Sequence, residues 1–211
     1  MNLPEYNRIC GEKQIPGGYR SVVFTLHGMK TTGKWQKELV PALVKSGFLP
    51  IPLDYGYKID VFWFFTKGTV AKCDRAFMDK HAQHLQEIGR WGLSVVAHSF
   101  GTFALGYVLE RHPGIVLSRV ITTGSILKCD FPWQGLAEER RVDRVRNEYA
   151  ENDWVVRLAP VFVRGAGVSG IKGFNMAECV ENYDVRRAGH DGIFHEAWWQ
   201  GEWIPFLAGK S

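Results

Sequence analysis

Cysteine is scarce. Four residues among 211, Cys10, Cys73, Cys129 and Cys179, are too dispersed for a CxxC metal or redox motif. They read as reduced, mostly buried thiols. Long apolar runs are missing too. The longest strongly apolar cluster, Val61-Phe62-Trp63-Phe64-Phe65, falls far short of the roughly 20 residues a membrane-spanning helix needs. The opening MNLPEYNRICGEKQIPGGYR has no basic stretch followed by an apolar run, so no secretory signal is expected, and the expected setting is the cytoplasm. Charge of one sign is equally lacking: 26 Lys and Arg against 22 Asp and Glu leave an excess of four, too mild to assign a nucleic-acid partner. No internal repeat or low-complexity linker marks a boundary, so residues 1–211 are expected to form one domain.

What is present is globular: 45% hydrophobic and 23% charged residues, enough chain to build a core without staples. SVVFTL (21–26) is a short apolar, β-branched run of the kind buried on both faces of a parallel sheet. A helical pattern follows over 34–46, stopped by Gly47, and FLPIPLDYGY then reads as a strand. Residues 74–91 carry apolar side chains at helical spacing. LSVVAH (93–98) is a second clear buried strand, and 100–111 a helix closed by His112-Pro113-Gly114. Further strands are expected at 119–124, 142–149 and 181–188, with a Trp-rich terminal helix over 193–207. Strands alternating with helices predict an α/β fold, a three-layer α/β/α sandwich on a mostly parallel sheet, with the strands' C-terminal ends on one edge.

The chemistry concentrates at Ala97-His98-Ser99-Phe100-Gly101, between a strand and a helix. A nucleophile elbow needs a turn so tight that the residues two before and two after the serine must be small. Of the eight serines, only Ser99 has Gly or Ala two before it and Gly two after. The plainer alternative is a serine that caps a helix. His27-Gly28-Met29 ends the first strand. In such a fold one oxyanion N–H comes from the residue after the nucleophile and one from a loop after an earlier strand, which nominates Phe100 and Met29. A serine hydroxyl also needs a base and an orienting acid, in the chain order Ser, acid, His. Asp153 suits the acid: it follows a candidate strand and precedes the apolar Trp154-Val155-Val156, where it could equally cap a helix. Glu148 is the next candidate. Only His190 and His195 lie after Asp153, and placement just beyond a strand favours His190.

LHGM, AHSFG, NDWVV and AGHDGIFH, in this order, resemble an α/β-hydrolase over nearly the whole chain. The AHSxG elbow and small size are similar to small bacterial lipases and esterases with little or no cap. The resemblance implies an acyl-enzyme mechanism with Ser99 as nucleophile, His190 as base and Asp153 as orienting acid, with Met29 and Phe100 supplying oxyanion N–H groups. It implies no metal or organic cofactor. Expected partners are a small-molecule or lipid acyl ester, with possible peripheral membrane contact through the aromatic segment 57–69. That segment and 129–139 are candidate lids. His27, His98, Trp63, Phe64 and Trp133 are candidate substrate-binding residues. Hydrolysis of a carboxylic ester or thioester is the expected reaction. Acyl transfer or amide hydrolysis by the same triad, or a binding protein on the same scaffold, are the alternatives.

Overall fold

The computed structural model describes residues 18–28, 34–55, 67–185, 188–192 and 194–210. Six strands, β1 (Val22–Leu26), β2 (Leu49–Leu53), β3 (Leu93–His98), β4 (Leu117–Thr123), β5 (Val142–Tyr149) and β6 (Val180–Asp184), form one sheet in the order β2-β1-β3-β4-β5-β6. Every neighbouring pair is parallel. Every residue of β1 and β3 is buried, which is why both read as continuous apolar runs without alternation.

The helices divide between the two faces by the period-two alternation of the strands. Val22, Phe24, Leu26, Val95 and Ala97 point into one cluster, which α2 (Lys67–Gln83), α4 (Phe100–Arg111), α5 (Trp133–Glu138) and α6 (Trp154–Phe162) cover. Val23, Val96 and Ile121 point into the other, covered by α1 (Lys34–Lys45) and the C-terminal Trp199, Trp203, Phe206 and Leu207. In α1 the buried residues Trp35, Leu39 and Leu43 fall four apart, one stripe of the helix. Fully burying side chains such as Phe24 or Leu105 contributes about 1.5–3 kcal/mol each, which anchors both layers.

Several expected elements differ in detail. The helix expected over 74–91 begins at Lys67 and breaks at His84, with α3 (Leu85–Trp91) following. No residue of α3 is fully buried, and Ile88 and Trp91 pack partly buried against the core. The strand expected to reach residue 188 ends at Asp184; Val185 N–H still donates to Tyr149 O at 2.8 Å, and its carbonyl accepts from Ala188 N–H. In the lid candidate 129–139, α5 forms part of the crossover between β4 and β5, with Trp133 and Leu136 in the core. The lid candidate 57–69 lies outside the described residues up to 66, and Lys67 already opens α2.

The glycine-rich stretch 165–174 contains α7 (Ser169–Lys172) and packs main chain against main chain. Gly167 and Gly170 donate to the carbonyls of Ile126 and Ser125, and a Cβ on either would fall 2.3–2.4 Å from backbone atoms there. The expected terminal helix is in three pieces: α8 (Glu196–Trp198), a π-turn (Trp199–Trp203) and α9 (Ile204–Leu207). The i→i+5 geometry of a π-turn brings Trp198 and Trp203, five residues apart, toward one side. Both indole N–H groups donate to Glu148 Oε1, at 3.0 and 2.9 Å.

Candidate active site

From β1 the chain passes to β2 on one side and returns to β3 on the other. The strand order therefore reverses between β1 and β3, and ligands of open α/β sheets bind at such a point, beyond the strands' C-terminal ends. His27-Gly28 and His98-Ser99 emerge there.

Ser99 occupies the turn between β3 and α4 with φ 53° and ψ −122°, a conformation that costs a non-glycine residue about 1–3 kcal/mol. The surroundings enforce it. Ser99 N–H donates to Thr123 O at 3.0 Å, and its carbonyl accepts from the Thr102 hydroxyl at 2.6 Å. Ala97 lies opposite Leu26 in the sheet, and a Cβ on Gly101 would come within 2.5 Å of Leu26 O. The turn therefore requires a small residue on each side of the serine, as the sequence pattern predicts.

Asp153 follows β5 and is 1% exposed. Its Oδ1 accepts from Val156 N–H at 3.0 Å, capping α6, and its Oδ2 lies 2.6 Å from His190 Nδ1. The two roles considered for this residue thus coexist, one on each carboxylate oxygen. Nε2 of His190 lies 3.2 Å from Ser99 Oγ. A proton on Nδ1, facing the carboxylate, leaves the Nε2 lone pair toward the serine hydroxyl. Ser99 and His190 are 91 positions apart in the sequence, and the fold closes that gap to one hydrogen bond. His195, the alternative base, instead caps α8, accepting from Trp198 N–H.

Two glycines that sequence reasoning left aside shape this space. A Cβ on Gly28 would sit 2.9 Å from Ser99 Cβ and 3.3 Å from Ser99 Oγ, so β1 ends with its backbone against the serine. Gly124, at φ +52° after β4, would meet His190 Cε1 at 3.0 Å and His98 Cε1 at 3.3 Å with any side chain. Its only signal is its place at the end of RVITTG.

Three of the expected substrate-binding residues are turned inward. His98 is fully buried, among the rings of Trp35, His190 and Phe194. Its Nδ1 lies 3.2 Å from Thr123 O, and its Nε2 lies 3.3 Å from Asp191 Oδ1 at an angle that misses hydrogen-bond geometry. Burial lowers its pKa, opposed by Asp191, whose own carboxyl is held below its usual range chiefly by His98. His27 is 6% exposed, stacked on Tyr55 at 4.2 Å, and its pKa is lowered chiefly by burial. The Tyr55 hydroxyl donates to the His27 carbonyl, and burial pushes its pKa well up, so it stays a donor. Trp133 packs in the core against Phe131 and Phe174. All three rings are buried against other aromatic side chains among the described residues. Met29, Trp63 and Phe64 lie outside the described residues. Phe100 is buried as the first residue of α4, so its N–H sits at the helix's positive end beside Ser99.

Among the described residues, His98, His190 and Asp191 could together offer a metal three ligand atoms, all within 4.8 Å of one another. His190 in that set already bridges Ser99 and Asp153. No helix among the described residues is long and apolar enough to cross a membrane.

The sequence matches no protein-family profile and none of the curated proteins. Solved structures do match. Acyl-protein thioesterase 2 of Zea mays superposes with a TM-score of 0.60 over 94% of this chain and 96% of that one, at 14% identity. A soluble variant of monoglyceride lipase from Saccharomyces cerevisiae gives 0.58 over 92% and 88%, at 12% identity. A cold-adapted esterase from an Arctic intertidal metagenomic library gives 0.55 over 92% and 84%, again at 12%. The fold is that of the α/β-hydrolases.

Proposed function

We propose that this chain is a serine hydrolase that cleaves a carboxylic ester or thioester through an acyl-enzyme. The observation that carries the reading is the connected line Asp153 Oδ2, His190, Ser99 Oγ, with contacts of 2.6 and 3.2 Å, on a strained turn at the sheet's switch point. Ser99 Oγ attacks the acyl carbon while His190 Nε2 takes its proton. Asp153 holds the Nδ1–H tautomer and stabilises the imidazolium that forms. The carbonyl oxygen becomes an oxyanion, received by the N–H groups of Phe100 and Met29. Removing one such donor typically costs about 3–4 kcal/mol in the transition state. His190 then protonates the departing alcohol or thiol. A water, deprotonated by the same Nε2, attacks the acyl-enzyme and releases the acid and the free serine. The α/β-hydrolase neighbours include an esterase and a thioesterase, which supports the choice of acyl bond.

p-Nitrophenyl esters of graded chain length, with a thioester series beside them, test the reading. A pre-steady-state burst equal to the enzyme concentration, absent in Ser99→Ala, is the expected result. Turnover that survives Ser99→Ala would remove Ser99 from the mechanism.

A further inference from the structure

The helix that begins one residue after Asp153 wears its apolar side outward. Trp154 and Val161 are each 68% exposed, Leu158 41% and Phe162 40%. These are four of the seven large hydrophobic residues exposed among the described residues. Positions 154, 158, 161 and 162 share one side of the helix, while Val156 and Ala159 on the other side face the core. A scattered exposed Leu needs no explanation, but a continuous outward stripe does.

The stripe lies at the working edge of the sheet. Its first residue adjoins Asp153, and the chain beyond it runs along residues 125–127, just past the end of β4, where Gly167 donates to Ile126 O and Ser169 to Leu127 O. Gly165, three residues after Phe162, lines a 360 Å³ cavity with Phe103, Leu127 and Phe131.

The charge around the stripe selects its occupant. From Trp154 to Ala177 the sequence carries Arg157, Arg164 and Lys172 and no acidic residue. Arg157 is exposed at the edge of the stripe, three residues after Trp154 and four before Val161, with its guanidinium donating to the Glu151 carbonyl at 3.1 Å. A twofold dimer would set this patch against itself, basic on basic, because such an interface is isologous. An anionic bilayer meets both features: the apolar side chains enter the headgroup boundary and the arginines pair with lipid charge. Tryptophan is the side chain that favours that depth.

The geometry points to the Trp154–Phe162 helix as a docking face for anionic lipid surfaces, setting the catalytic edge beside the bilayer. Resting on the hydrolase reading above, this makes the substrate an acyl ester drawn from the lipid surface. The docking itself requires no turnover.

Co-sedimentation of the full chain with vesicles tests it, using phosphatidylcholine alone and phosphatidylcholine with a third phosphatidylglycerol. The expected result is at least about tenfold tighter binding to the anionic vesicles, weakened by salt. Leu158→Ser/Val161→Ser should lower that binding about tenfold, and Arg157→Gln should lower its salt dependence. Both variants should hydrolyse a soluble p-nitrophenyl acetate at the parent rate. Equal binding to neutral and anionic vesicles, no binding to either, or unchanged binding by the double serine variant would overturn the proposal. So would a dimer in sedimentation velocity that the double variant dissolves, since a second copy would then own the face. Vesicle binding without any ester turnover would leave the docking face standing and count against the hydrolase reading.

Discussion

Two buried carboxylates stand near the C-terminal end of β5, five residues apart, and they do different things. Asp153 shares its oxygens between a backbone N–H and His190, and its chain of contacts ends on a partly exposed serine. Glu148 is closed in. Its Oε1 accepts from Arg146 at 3.0 Å and from the two indoles, while Arg146 also reaches Glu202 at 2.7 Å and stacks on Tyr183 at 3.6 Å. Burial raises the Glu148 pKa, with Arg146 the largest opposing influence. The lesson is that a buried carboxylate is not by itself a catalytic acid. What separates the two is where the network ends. One reaches the Ser99 hydroxyl, and the other ties the C-terminal π-turn to the sheet.

The largest expected contrast comes from neutralising each carboxylate. Asp153→Asn keeps the helix cap, since Asn caps as well as Asp, but favours the wrong histidine tautomer. Turnover should fall about 10⁴-fold with the melting temperature nearly unchanged. Glu148→Gln should do the reverse, leaving turnover within a few-fold of the parent while weaker hydrogen bonds from Arg146 and the two indoles lower stability by about 1–3 kcal/mol in denaturant titration, Arg146 keeping Glu202 as its ion-pair partner. Equal losses of activity in the two variants would erase the distinction.

A second contrast lies in steric access. Gly28→Ala places a methyl 2.9 Å from Ser99 Cβ and 3.3 Å from Ser99 Oγ, so the serine must shift, and should cut kcat/KM by about 100-fold with the far-UV spectrum preserved. Trp198→Phe removes one donor to Glu148 and should cost about 1.5–3 kcal/mol of stability without touching the rate.

The smallest effect concerns pH. Burial lowers the folded pKa of His98 below its ordinary 6.5, so near and below that pH the unfolded chain binds more protons than the folded one. Its contribution is complete above 6.5 and is lost as pH falls. Between about pH 7 and pH 5 the melting temperature should drop, and His98→Gln should flatten part of that slope. His27, lowered in the same direction, supplies another part.

The sequence carries the elements whose pattern is local. β5 and α4 fall on their expected bounds, 142–149 and 100–111, because a buried strand and a helix closed by His112-Pro113-Gly114 each declare themselves over a few residues. The alternation of strand and helix is enough to imply the parallel sheet. Ser99 and Asp153 stand out because each lies on a turn soon after a strand, and His190 because only one other histidine follows Asp153. The side chains of His27, His98 and Trp133 could not be placed in this way. A polar aromatic beside a site can line it or lie beneath it, and only the packing of Tyr55, Phe194 and Phe174 decides. The same holds for Glu148, whose partners Trp198 and Trp203 lie 50 and 55 residues away and meet it through the π-turn.

The central claim is that Asp153 and His190 activate Ser99. Timed labelling with a fluorophosphonate, mapped by mass spectrometry, tests it most directly, with Asp153→Asn and Glu148→Gln run in parallel. A single adduct on Ser99 is expected, formed at the parent rate in Glu148→Gln and orders of magnitude more slowly in Asp153→Asn. An adduct on another residue, or no adduct on the folded protein, would contradict it.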